Sequence, residues 1–180
     1  MNRILRMVCV ATCVMMLAGC NGRPARPDEE PPVRIGVYDS RAVAVAFAGS
    51  APFAKWMSAL RTEHDKANAA GDDKRVAELK AEAASRQKLM HMQGFSTAPV
   101  DDVLEHIKDA LPAIKDKAGV SALVSKWDAD SLAKHASAEH VDVTMALVDA
   151  LNPNDRQRKS AIEVQKHKPI PLKDAENLED

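Results

Sequence analysis

Two short β-branched stretches, "VRIGVY" (33–38) and "VSALVSKW" (120–127), stand about 80 residues apart, and almost everything between them carries helical periodicity. In the first, Val33, Ile35 and Val37 alternate with Arg34, Gly36 and Tyr38, which is the period-two pattern of a strand. A lone strand leaves a row of N–H and C=O groups without partners. The two stretches must therefore pair with each other, and the long insertion must leave the sheet and return to it. The expected fold is α+β and mainly helical, with a small β-sheet base.

The stretch between the strands reads as four helices. Asp39 or Ser40 can cap a short first helix through "RAVAVAFAG", which Gly49 and Pro52 punctuate. From 52 to 69, Phe53, Trp56, Met57, Leu60, His64 and Ala67 share one face. "GDD" breaks the pattern, and Asp72 or Asp73 can cap the next segment. From 73 to 92, Val76, Leu79, Ala83 and Met90 form a stripe. The segments 52–69 and 73–92 would span about 27 and 30 Å at 1.5 Å per residue. Joined at Ala70-Gly71-Asp72, they predict a protruding antiparallel helical hairpin, an arm over 52–92.

"QGFSTAP" is a loop. "VDDVLEHIKDALPAIKDKAG" is a further helix, kinked or divided by Pro112 and ended by Gly119. After the second strand, "DAD" is a turn and "SLAKH" a third, weaker strand. "VDVTMALVDALN" closes the domain as a helix, with Asp142 or Thr144 as its cap. The domain thus runs over 33–151. Residues 152–180 contain Pro153, Pro169 and Pro171 and no apolar stripe, so they read as a disordered tail.

Ahead of the domain the chain begins "MNRILRMVCVATCVMMLAGC". Arg3 and Arg6 form a cationic head, and the apolar run Met7–Leu17 is 11 residues long. A membrane-spanning helix needs roughly 20, so the pattern fits a signal peptide over 1–19. Its ending, Leu17-Ala18-Gly19-Cys20, resembles the lipobox of bacterial lipoproteins. The resemblance implies diacylglycerol on Cys20 and cleavage between Gly19 and Cys20. Each buried methylene contributes about 0.8 kcal/mol, so two or three acyl chains hold a protein on a membrane essentially permanently. Cys9 and Cys13 would leave with the leader and Cys20 would carry lipid, so no thiol remains for a disulfide, a metal or a nucleophile. Residues 20–32 include "NGRPARPDEEPP", a proline-stiffened flexible linker.

The leader holds two arginines and no acid. Removing it turns 25 basic and 26 acidic residues into 23 and 26, a formal net of −3. That balance does not suggest nucleic acid or anionic lipid as a partner. The chain is Ala-rich and poor in aromatics, which favours thinly packed helices.

Strand, long helical insertion, strand and closing helix resemble the Skp/OmpH family of periplasmic chaperones. "VRIGVYDSRAV" is similar to that family's opening strand and turn. "AGVSALVSKWDADSLAKHASAEHVDVTMALVDALN" is similar to its closing unit, with Asp142, Val143 and Thr144 before the last helix. Together they cover about 50 of 180 residues. The resemblance implies a sheet base that assembles as a homotrimer and helical arms that cradle unfolded outer-membrane proteins without ATP. The arm here is shorter and interrupted by Gly71, Gly94 and Pro99, and the chain carries a lipobox where typical members are soluble.

Catalytic and metal-binding patterns are missing from the sequence. His64, His91, His106, His135, His140 and His167 offer no zinc spacing and read as surface or half-buried side chains. Asp72/Asp73 and Asp101/Asp102 stand where helices begin, so they read as capping charges. "DADS" (128–131) lacks the glycine and distal glutamate of a calcium loop. There is no nucleophile elbow, phosphate loop or dinucleotide fingerprint, so no enzyme activity and no cofactor is expected. Met57, Met90, Met92 and Met145 read as hairpin packing, although such side chains also adapt to varied apolar clients.

Two functions fit: a lipid-anchored holdase of the cell envelope, facing the periplasm, or a structural or adaptor lipoprotein bound to one folded envelope partner. The client-binding residues are not identifiable from sequence. Asn21 stands where enteric lipoproteins retained at the inner membrane usually carry aspartate, which favours the outer membrane. Cys20→Ser is expected to abolish labelling by a clickable palmitate analogue in cells; retained labelling rejects the site.

Overall fold

A computed structural model describes residues 32–178. The expected leader, its Gly19–Cys20 junction and the linker up to residue 31 lie outside the described residues. Strands β1 (Arg34–Tyr38), β2 (Ala122–Ser125) and β3 (Glu139–Asp142) form a parallel sheet in the order β2-β1-β3. Ile35 lies opposite Ala122 and His140, and Val37 opposite Val124 and Asp142. Parallel neighbours require long crossovers. The first crossover is the helical insertion between β1 and β2; the second runs from β2 through α6 to β3 on the other side of β1.

The third strand is not where the sequence pattern put it. Ser131–Lys134 belongs to α6 (Ala129–Lys134) and His135 caps its end, because the Asp128 side chain accepts the Ser131 N–H at 2.9 Å and starts a helical turn. The strand is Glu139–Asp142, and its side chains are mostly exposed. It pairs through its backbone as an edge strand, so it needs no apolar alternation.

The remaining elements are α1 (Ser40–Ala48), α2 (Ala51–Ala69), α3 (Asp73–Phe95), α4 (Asp101–Leu104), α5 (Leu111–Ala118), α7 (Thr144–Ala150), α8 (Asp155–Val164) and α9 (Leu172–Glu176). A 3₁₀ turn, Glu105–Ile107, follows α4. Asp39 caps α1, Ser50 caps α2 and Asp72 caps α3, each accepting a backbone N–H of the first turn. Between α2 and α3, Gly71 takes φ +68°, and the Asp72 N–H reaches the Ala67 carbonyl at 2.9 Å. Pro112 sits in the first turn of α5, where its missing N–H loses nothing, so the expected single helix divides ahead of it. α3 runs past Gly94, which stays helical and buried, with Val45 of α1 passing close beside it.

α1 is the axis of the core. Arg41, Ala42, Val43, Ala44, Ala46 and Phe47 are all buried, so the helix is enclosed nearly all round. Tyr38, Val103, Leu147 and Val148 pack into the same cluster. α2, by contrast, buries only Ala67. Among the described residues no single helix is long and apolar enough to cross a membrane. α1 and α2 taken together are, but they bend by 53° and α1 fills the core.

The expected disordered tail is corrected. α8 packs on α1 and α9 on α3, burying Ala161 and Ala175 completely. The Ile170 N–H bonds to the Phe95 carbonyl at 3.0 Å, and Ser96 Oγ donates to the Ile170 carbonyl at 2.6 Å. Arg158 forks onto Asp149 of α7 at 2.7 and 3.1 Å. These helices dock through small residues and polar bonds, which an apolar-stripe criterion overlooks.

Gly49 is the seat of this docking. A Cβ there would lie 2.5 Å from Gln157 Cγ and 2.6 Å from Gln157 Cβ. Its φ of −103° suits any residue, so Gly49→Ala tests contact alone. The substitution is expected to lift α8, destabilise the fold by about 1–3 kcal/mol and make trypsin cut first after Arg156 or Arg158. Unchanged cleavage kinetics would reject the tight seat.

Candidate functional site

β1 ends on Tyr38, and the next residue supplies the most connected side chain of the domain. The Asp39 carboxylate is 1% exposed. One oxygen accepts the Arg41 N–H at 3.0 Å, Arg41 Nε at 3.2 Å and the Trp127 indole N–H at 3.0 Å. The other takes Arg41 Nη2 at 2.9 Å and Lys126 Nζ at 2.7 Å. The Asp39 backbone N–H donates to Thr144 Oγ1 at 3.0 Å, and the Thr144 N–H donates to the Asp142 carboxylate at 2.9 Å. Arg41 and Lys126 also stand over the Trp127 ring, 4.9 and 4.7 Å from its centroid.

Burial alone would raise the Asp39 carboxyl. Hydrogen bonds from Arg41, Lys126 and Trp127 outweigh it and hold the group below the usual carboxylate range. The Asp39 carboxylate and the Arg41 side chain are each 1% exposed and paired with one another, so neither faces a substrate. The set is a structural knot. Sequence reading named Asp39 only as a cap; apart from Arg41, its partners come from 87 to 105 residues away, and no local signal marks them.

A second feature lies between α2 and α3. Phe53, Trp56, Met57, Ala83, Arg86 and Met90 border an open apolar groove of about 330 Å³. It continues past Trp56 and Phe53 into a smaller space of about 150 Å³ beside Phe47 and His106. Another of about 200 Å³ lies toward the turn, bordered by Met57, Leu60 and Leu79. Glu63 and Arg75 pair across the two helices at 2.7 Å near the turn. Met57 is 37% exposed, and the rims carry Arg86, Arg61 and Lys80. Of the methionines singled out from sequence, Met57 and Met90 border the groove. Met145 packs against the core, and Met92 is half-buried in the last turns of α3.

The histidines are scattered. His106 stacks on Phe47 at 4.9 Å, His64 faces Asp65, His140 lies in β3 and His167 faces Glu163. Among the described residues no group of three or more His, Cys, Asp or Glu side chains is placed to hold a metal ion. Of the acid pairs, Asp72 caps α3, and Asp102 pairs with Arg86 at 2.7 Å and Gln93 at 2.7 Å. Asp101 stands in the first turn of α4 without a capping bond.

Asp39→Asn leaves the 1%-exposed Arg41 guanidinium without its buried counter-charge. The expected loss is about 3–5 kcal/mol in thermal or urea unfolding. Because the folded carboxyl titrates lower than the unfolded one, its stabilisation is complete above the unfolded pKa of about 4 and fades as pH falls through the folded value. Melting curves from about pH 2 to 7 should show the wild type losing stability in that acid window and the variant losing less there. No family model matches the chain, and neither does any curated protein or solved structure.

Proposed function

We propose that the chain is a lipid-anchored envelope protein of the Skp/OmpH kind, in which α2 and α3 form a short antiparallel arm that holds unfolded exported or outer-membrane proteins without ATP. The carrying observation is the arm groove with Trp56, Phe53, Met57 and Met90 along it. A helix pair packed for stability alone would close this face; here α2 buries a single residue. Flexible thioethers and aromatic faces grip many apolar sequences weakly, and several weak contacts along one client add up. Arg61, Lys80 and Arg86 beside the groove keep the face soluble between clients. Further support comes from the lipobox at Leu17–Cys20 and from the resemblance of 33–43 and 118–152.

The soluble form lacking residues 1–20 should suppress light scattering by a diluted, urea-unfolded outer-membrane barrel at a few-fold molar excess. Met57→Lys with Trp56→Lys should weaken that protection about tenfold while leaving the circular-dichroism melt within about 1 kcal/mol of wild type. Absence of protection by the parent rejects the holdase reading. A cross-linked pull-down that returns one stoichiometric folded partner favours the adaptor reading instead.

A further inference from the structure

We propose that the groove between α2 and α3 selects client segments in which large apolar side chains are interspersed with Asp and Glu. The proposal rests on the holdase reading and adds a client class to it.

The groove and the space toward the turn have an apolar floor of Phe53, Trp56, Met57, Leu60, Leu79 and Met90. Among the described residues no Asp or Glu borders either of them or the smaller space beside Phe47. Arg61, Lys80 and Arg86 do. The lining is therefore basic, in a chain whose formal net charge is −1.

The three cations are not equivalent. Arg86 is 22% exposed, pairs with Asp102 at 2.7 Å and lies over the Phe47 ring, so its charge is met within the fold. Arg61 and Lys80 are exposed and enter no ion pair among the described residues. Two acids near the turn, Glu63 and Glu78, are held by Arg75 at 2.7 and 3.2 Å. The groove thus carries one cation on α2 and one on α3 whose counter-charge comes from solvent or from an occupant.

Length points to an extended peptide as that occupant. Phe53 and His64 both border the row of spaces and stand 11 residues apart on α2, about 16 Å at 1.5 Å per residue. About five residues of extended chain cover that distance at about 3.3 Å each. The apolar side chains of such a segment fill the floor, and carboxylates between them lie beside Arg61 and Lys80. Repulsion of basic segments adds to this attraction, so the same two cations serve both acceptance and rejection.

The soluble form lacking residues 1–20 keeps every described residue and is titrated by calorimetry with three capped nonapeptides. Each carries Phe, Leu and Phe, three variable positions that are all Glu, all Gln or all Lys, and Gly or Ser elsewhere. The Glu peptide should bind about tenfold more tightly than the Lys peptide in 50 mM salt, and the gap should narrow in 0.5 M salt. Arg61→Gln/Lys80→Gln should cut the preference to about twofold and leave affinity for the Gln peptide unchanged. Lys55→Gln/Lys66→Gln makes the same change in net charge outside the groove and should keep the preference. Equal binding of the three peptides overturns the selectivity while barrel protection still upholds the holdase reading. A preference lost equally in both double variants overturns it too, because net charge then explains it. So does tighter binding of dodecanoate than of any peptide, which would make the groove a lipid site. Selectivity with no barrel protection upholds the groove's preference and rejects the holdase.

Discussion

The Asp39 carboxylate is the joint on which the domain depends. It stands at the end of the central strand and receives donors from α1, from the segment after β2 and from the indole of Trp127, while its own N–H reaches the first residue of α7. Three parts of the chain, far apart in sequence, are thereby fixed at one point. A buried ion pair is a poor source of net stability, because desolvation offsets much of the attraction. What it does well is forbid alternatives. Any other packing of α1 would carry the Asp39–Arg41 pair away from Lys126, Trp127 and Thr144, its partners elsewhere in the chain.

That selectivity suits a core built from small residues. α1 is mostly alanine and valine and is enclosed by α3, α7 and α8. Small side chains allow close approach but specify register weakly, since many rotations of such a helix pack about equally well. The salt-bridged carboxylate at the head of α1 fixes one rotation. Gly49 at its foot, pressed against Gln157, fixes the other end. α2 and α3 have no such pins: between Ser50 and Gln93 only Ala67 and Leu79 are buried.

Legibility in the sequence followed the range of the interactions. β1 was readable because its apolar residues alternate, and the ends of α2, α3 and α5 because Gly71, Asp72 and Gly119 act within one turn. β3 was not, since "EHVD" is an edge strand held by main-chain bonds to β1. Asp128 looked like part of a turn and proved to cap a helix, which displaced the expected strand by several residues. α8 and α9 were hidden because Ala161 and Ala175 carry their burial, and alanine does not announce a face. Among candidate-site residues, the methionines and Trp56 were visible by helical spacing.

The parallel arrangement of the sheet also decides how the domain meets mechanical force. β1 is central, begins two residues after the first described residue and is laddered on both sides to strands running in its own direction. A pull on the preceding chain directed along β1 would strain both ladders in shear, so that many hydrogen bonds must fail together instead of opening like a zip. A domain of this topology is stiff against traction at its amino end, while the underpacked helix pair remains the compliant part.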